Sequence, residues 1–231
     1  MREASQPAAV IAVDGPAGSG KSTAARRVAI TLGLRYLDTG AMYRALTWWL
    51  QDQRVDLADT GAVLARIAEP RIEVGTDPGR PEIAVDGQDV AGPIRTRQVS
   101  NSVSTVAAIP QVRAQLVAQQ REIIAAAVAD GAGIVAEGRD IGTVVAPDAP
   151  VKVYLTASDD VRAQRRSAEL GDPAATVAAI QREQARRDHR DAGQMVAAAD
   201  AVEIDTSALS LDQVVGQVVA MARSRRVVPR G

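Results

Sequence analysis

The chain has no cysteine and no phenylalanine, a single histidine, and among 231 residues only two lysines, Lys21 and Lys152. Without cysteine there is no disulfide, no thiolate metal site and no thiol nucleophile. That composition suits a reducing compartment, and a cytoplasmic location is expected. Aromatic residues amount to 2%, so the core has to be aliphatic and alanine-rich, and no row of rings is available to stack single-stranded nucleic acid. No apolar run reaches the roughly 18–20 residues that span a bilayer. The polar stretch Met1–Ala9 lacks the apolar centre of a secretory signal. Net charge is missing too: 27 basic and 28 acidic side chains leave −1, so no global field recruits nucleic acid. What remains is an ordinary mixture, 46% hydrophobic and 24% charged, as in folded globular proteins. The length sits near the upper end of what one core fills, which predicts a single domain over 1–231 with an inserted subdomain.

Short apolar runs at Val10–Val13, Arg35–Leu37, Ile134–Ala136, Val151–Leu155 and Ala201–Ile204 read as strands. Between them lie helical stretches, Lys21–Leu32, Ala41–Gln53, Gln111–Ala129, Asp159–Leu170, Ala174–Arg187 and Leu209–Arg225. Strands alternating with helices predict an α/β fold, a five-stranded parallel sheet covered on both faces. In such sheets ligands bind beyond the carboxyl ends of the strands. The segments Asp14–Ser22, Asp38–Gly40 and Glu137–Asp140 all follow strand ends and should converge there. Gly75, Pro78, Gly79, Pro81 and Gly87 break the rhythm between β-compatible runs, which predicts a small antiparallel insert over residues 70–95.

Gly15-Pro16-Ala17-Gly18-Ser19-Gly20-Lys21-Ser22 fits G-x-x-x-x-G-K-[ST], with a strand before it and a helix after it. Glycines let successive backbone N–H groups curl around phosphate oxygens, and the helix N-terminus adds partial positive charge. Lys21 would reach the β- and γ-phosphates of a nucleoside triphosphate and Ser22 would ligate Mg²⁺, with Thr23 closing the segment. A lysine in so arginine-dominated a chain points to a need for a compact point charge. The motif is silent about the acceptor.

Thr39 and Gly40 in Asp38-Thr39-Gly40-Ala41-Met42-Tyr43-Arg44 read as a helix N-cap region with Arg44 one turn on, either an anion clamp or an ordinary capped helix. Glu137-Gly138-Arg139-Asp140 puts a guanidinium and two carboxylates over the sheet edge, for phosphate and an amino group or for a structural ion pair. Arg162, Arg165, Arg166, Arg182, Arg186, Arg187 and Arg190 are balanced by as many acidic residues over 157–191. They describe a solvated hairpin or a lid that brings cations to a moving phosphoryl group. His189 reads as a surface residue, Trp48 and Trp49 as packing. No guanine-reading N-K-x-D segment and no H-R-D…D-F-G set occurs, which argues against a GTPase and against a protein kinase.

Over nearly its whole length the chain resembles the bacterial cytidylate kinases, nucleoside monophosphate kinases of P-loop fold. The resemblance rests on Ile11–Thr23, Asp38–Arg44, Asp86–Val90 with Ile94-Arg95, Glu137–Val145 and Pro147–Lys152. It implies transfer of the ATP γ-phosphoryl group to CMP or dCMP with Mg²⁺; the alternative is a P-loop kinase for UMP or another small acceptor. It implies that Thr39, Arg44, Ser104, Arg113, Arg139, Asp140, Arg187 and Asp191 bind CMP. Ser104, Arg113 and Asp140 would meet cytosine, whose N4 amino donor and N3 and O2 acceptors they complement. Lys21, Arg139, Arg187 and Arg162 would be catalytic, Ser22 and Asp38 would hold the metal, residues 70–95 would be the monophosphate-binding insert, and 157–195 the lid. A monomer is expected. One departure stands out: Gln194 occupies a position where the family commonly has arginine.

Overall fold

The structure, a computed structural model, describes residues 9–170, 177–225 and 227. Strand β1 (Val10–Asp14) is buried throughout, so its side chains must satisfy both faces of a sheet. Its alternation separates two cores. Val10 and Ala12 point to one, Ile11 and Val13 to the other. Helix α1 (Lys21–Leu32) packs on the second face through Ala24, Ala25, Val28 and Ala29. Its small side chains let the helix approach closely. Strand β2 (Arg35–Asp38) then runs into α2 (Thr39–Asp52), which buries Met42, Leu46 and Leu50 on the first face.

After the short α3 (Thr60–Leu64) come β3 (Ile72–Val74), β4 (Ile83–Val85) and β5 (Gln88–Asp89), a separate antiparallel sheet. It lies inside the 70–95 window and packs on α2 through Ile72, Ile83 and Val85. Its connecting loop turns back to the main sheet: Tyr36 N donates to Thr76 O (2.9 Å), and the Arg26 guanidinium donates to the carbonyls of Pro78 (2.5 Å) and Gly79 (2.8 Å).

A 3₁₀ turn at Pro93–Arg95 leads to α4 (Arg97–Ala107) and α5 (Pro110–Ala129). Serines and β-branched residues give α4 a weak helix propensity, and no helix was expected there. Burial of Val99, Val103 and Val106, one stripe at helical spacing, overrides that weak propensity. Strand β6 (Ile134–Glu137) is followed by a π-helical turn at Ile141–Val145, then β7 (Val151–Thr156), α6 (Asp159–Leu170), α7 (Val177–Asp191), β8 (Val202–Asp205) and α8 (Leu211–Ser224). Residues 1–8, which fall in the expected polar start, 174–176 of the expected hairpin helix, and the arginine-rich tail at 226 and 228–231 lie outside the described residues. The main sheet has the order β2-β6-β1-β7-β8 and is parallel throughout. Among the described residues no helix is long and apolar enough to cross a membrane.

Candidate active site

The segment between β1 and α1 turns sharply. Gly15 has φ +140, and a Cβ there would stand 2.1 Å from the Leu155 carbonyl oxygen, so no other residue fits. Gly20 is the N-cap of α1 at φ 88, with no side-chain cap. The first amides of the helix therefore remain available to an anion. Lys21 is partly buried and its ammonium group rests on the Pro16 carbonyl at 2.9 Å. Burial and then the Arg139 charge pull its pKa down to about 8, against the pull of Glu137, Asp14 and Asp38.

Those carboxylates end adjacent strands. Register pairs Asp38 with Glu137, and Val13 with Glu137. Burial pushes Glu137 up, as does the neighbouring Asp38 charge, while Lys21 and the hydroxyls of Ser22 and Tyr36 oppose this; the Tyr36 hydroxyl donates at 3.0 Å. Asp38 accepts from Ala41 N (2.8 Å), capping α2, and from Arg44 (2.8 Å). Gly40 makes room for that guanidinium, because a Cβ there would stand 2.9 Å from it. The buried Thr39 hydroxyl donates to the Glu137 carbonyl at 2.8 Å.

Across the rim, Arg139 pairs with Asp191 (3.1 Å) and Asp188 (3.6 Å) and meets the Met195 sulfur. Arg187 lies half-buried beside it, its Nε buried without a hydrogen-bond partner. Burial and then Arg139 bring its pKa down to about 10; Asp191 opposes this, and Arg166 and Arg44 add to it. Four guanidinium groups therefore feel one another at this spot, with Asp191, Asp188 and Asp38 among the carboxylates that offset them. Arg162 on α6 is buried, bonded to Asp159 and Asp188 (2.6 Å each) and to the Ala17 carbonyl (3.1 Å), which ties α6 to the glycine-rich turn. Arg113 on α5 pairs with Asp140. Ser104 on α4 is buried and its hydroxyl has no partner.

The chain carries a glycine-rich strand-turn-helix, carboxylates at the adjoining strand ends and an arginine cluster near them. The sequence model described as cytidylate kinase matches residues 11–224. The chain belongs to the cytidylate kinase family. Relatives include the cytidylate kinase of Streptomyces coelicolor, 51% identical over 95% of each chain, and that of Streptomyces griseus, 47% identical over 97% of each. A sugar kinase from Janibacter sp. superposes with a TM-score of 0.50 at 14% identity, over 97% of this chain and all of that one. That likeness speaks for the fold alone.

The residues singled out from the sequence thus gather at the strand ends, with two qualifications. Gln194 stands off the arginine cluster, its side chain directed to the Ala107 carbonyl at 3.4 Å. Arg186 and Arg190, earlier in the same stretch, are exposed, as is His189. Trp49 is in the core with Arg66 stacked 5.1 Å from its ring centre, and Trp48 packs against the same core. Tyr36 and Asp14 were missed. For Asp14 a signal existed, a carboxylate ending an otherwise apolar strand directly before the phosphate motif.

Proposed function

We propose that this chain transfers the γ-phosphoryl group of ATP to CMP or dCMP, releasing ADP and the corresponding diphosphate. Membership of the cytidylate kinase family supports the reaction and its substrates. The observation that carries the assignment of sides is the Arg187 guanidinium. It is half-buried, has a buried, unbonded Nε, and stands among Arg44, Arg139 and Arg166. Such a cluster is costly unless an anion completes it, and the acceptor's phosphate is that anion.

The donor triphosphate lies in Gly15–Thr23, held by the free amides of α1 and by Lys21. The acceptor phosphate lies on Arg44, Arg139 and Arg187, with Asp191 beside the sugar and Thr39 at the start of α2. Its oxygen is already anionic, so attack needs no general base. Charge on the moving phosphoryl group is met by Lys21, Arg139, Arg187 and Arg162, preorganised by their carboxylate partners. Residues 157–195, with α6 and α7, act as the lid, and Arg162 ties it to the cradle. Residues 70–95 close over the monophosphate. Cytosine lies against Ser104, Arg113 and Asp140; uracil would present a carbonyl where cytosine has its amino group, which a carboxylate rejects.

The rim also suits Mg²⁺. Glu137 and Asp38 bring two carboxylates together beside the Ser22 hydroxyl, a hard-oxygen set with negative charge in excess. Among the described residues no group of three or more acidic or histidine side chains could hold a metal, so substrate phosphates and water would have to complete the shell. Ser22 and Asp38, with Glu137, are the residues that would hold it, and bound with ATP it neutralises phosphate charge. The test is an ADP-release assay across CMP, dCMP, UMP, AMP and shikimate. Cytidine nucleotides should give the highest kcat/KM, and equal turnover of all acceptors would defeat the proposal.

A further inference from the structure

Two buried hydrogen bonds, separated by 127 and 128 residues in sequence, join the two halves of this site. The carboxylate of Asp14, the last residue of β1, accepts from Ile141 N through one oxygen and from Gly142 N through the other, each at 2.8 Å. Asp14 is 5% exposed, so these amides have no water to fall back on. They are the first amides of the π-helical turn that begins directly after Arg139 and Asp140. The turn has no side-chain cap of its own. At its far end Arg121 donates to the carbonyls of Val144 (2.6 Å) and Val145 (3.2 Å). Gly142 admits the arrangement because a Cβ there would press on the Lys152 stem at 3.2 Å and on the Asp14 carboxylate at 3.4 Å. Lys152 is itself anchored to Asp200 by two contacts of 2.9 Å.

We infer that Asp14 is a positioning residue for the acceptor: by holding the Ile141–Val145 turn it sets where Arg139 and Asp140 stand relative to the phosphate cradle that starts at Gly15. The inference rests on the reading that Arg139 and Asp140 face the acceptor nucleotide. Asp14 touches neither substrate. Its effect reaches the acceptor through the turn, so acceptor affinity and base selection should suffer first. ATP affinity should change less, because the conformation of Gly15 is set by its own close approach to Leu155 and Asp14 is only one of three carboxylates acting on Lys21.

The experiment is steady-state kinetics of the full chain and its Asp14→Asn and Asp14→Ala variants, with CMP, UMP and ATP varied in turn. Asparagine keeps one acceptor oxygen and turns an amino group toward the second amide; alanine leaves both amides unpaired. The KM for CMP should rise about tenfold in the first variant and further in the second. The preference for CMP over UMP should fall while the KM for ATP stays within about twofold. An unchanged KM for CMP and an unchanged preference would overturn the inference, as would a KM for ATP rising in parallel. If both variants fail to fold, Arg121→Ala, which loosens the other end of the turn from an exposed position, should shift the same two quantities, and no shift overturns it. Failure of the unaltered chain to use CMP at all would instead overturn the proposed function.

Discussion

At the scale of single residues, the site is a set of charges held away from their ordinary protonation balance. Lys21 ionises near pH 8, so the free protein loses its ammonium charge as pH rises through that value. ATP binding, which favours the charged form, should push the ionisation higher. The expected outcome is a kcat/KM for ATP that falls above about pH 8, with the falling limb of kcat at saturating ATP displaced to higher pH. Coincident limbs would show that Lys21 does not face the triphosphate. Arg187 behaves differently. Its guanidinium is desolvated among like charges with one nitrogen unbonded, so under the proposed function it would serve binding rather than folding. Arg187→Met should leave the melting temperature of the nucleotide-free protein unchanged or higher and raise the KM for CMP roughly 10- to 100-fold. A lower melting temperature with normal kinetics would make it a structural residue.

Elements differ in how openly the sequence announces them. The strand-turn-helix at Val10–Leu32 is legible because its causes are local: an apolar run, glycines where only glycine fits, and a lysine where the chain otherwise uses arginine. The turn at Ile141–Val145 is not. Ile-Gly-Thr-Val-Val carries β-branched residues that suit a strand, and only Asp14 and Arg121, distant in sequence, hold it as a turn. Helix α4 was hidden for a related reason, since its valine stripe gains its meaning from burial. The insert was visible through its glycines and prolines, but its docking on α1 and β2 was not. That docking should matter for closure: Arg26→Ala removes an exposed clamp on Pro78 and Gly79. Hydrogen exchange should then speed up at β4 and β5, at a cost of about 1 kcal/mol or less in global stability. Unaltered exchange there would mean the Tyr36–Thr76 bond holds the insert alone.

For the whole molecule, the parallel sheet matters because it lines up Asp14, Asp38 and Glu137 at one rim, opposite the arginines of α2, α6 and α7. The overall architecture was readable from strand–helix alternation, since the central strands β1 and β6 had to be buried on both faces. Which arginines turn inward was not readable. Arg162 is buried and Arg187 half-buried, while Arg182, Arg186 and Arg190, in the same charged stretch, face solvent. Only the packing of α6 and α7 on the glycine-rich turn distinguishes them. The central claim is that the two nucleotides meet phosphate to phosphate across this rim. Its most direct test is inhibition by a single molecule that joins adenosine to cytidine through a chain of five phosphates. The account predicts competition against both ATP and CMP, with affinity well above that of either nucleotide alone. Competition against ATP only, with CMP binding undisturbed, would contradict it.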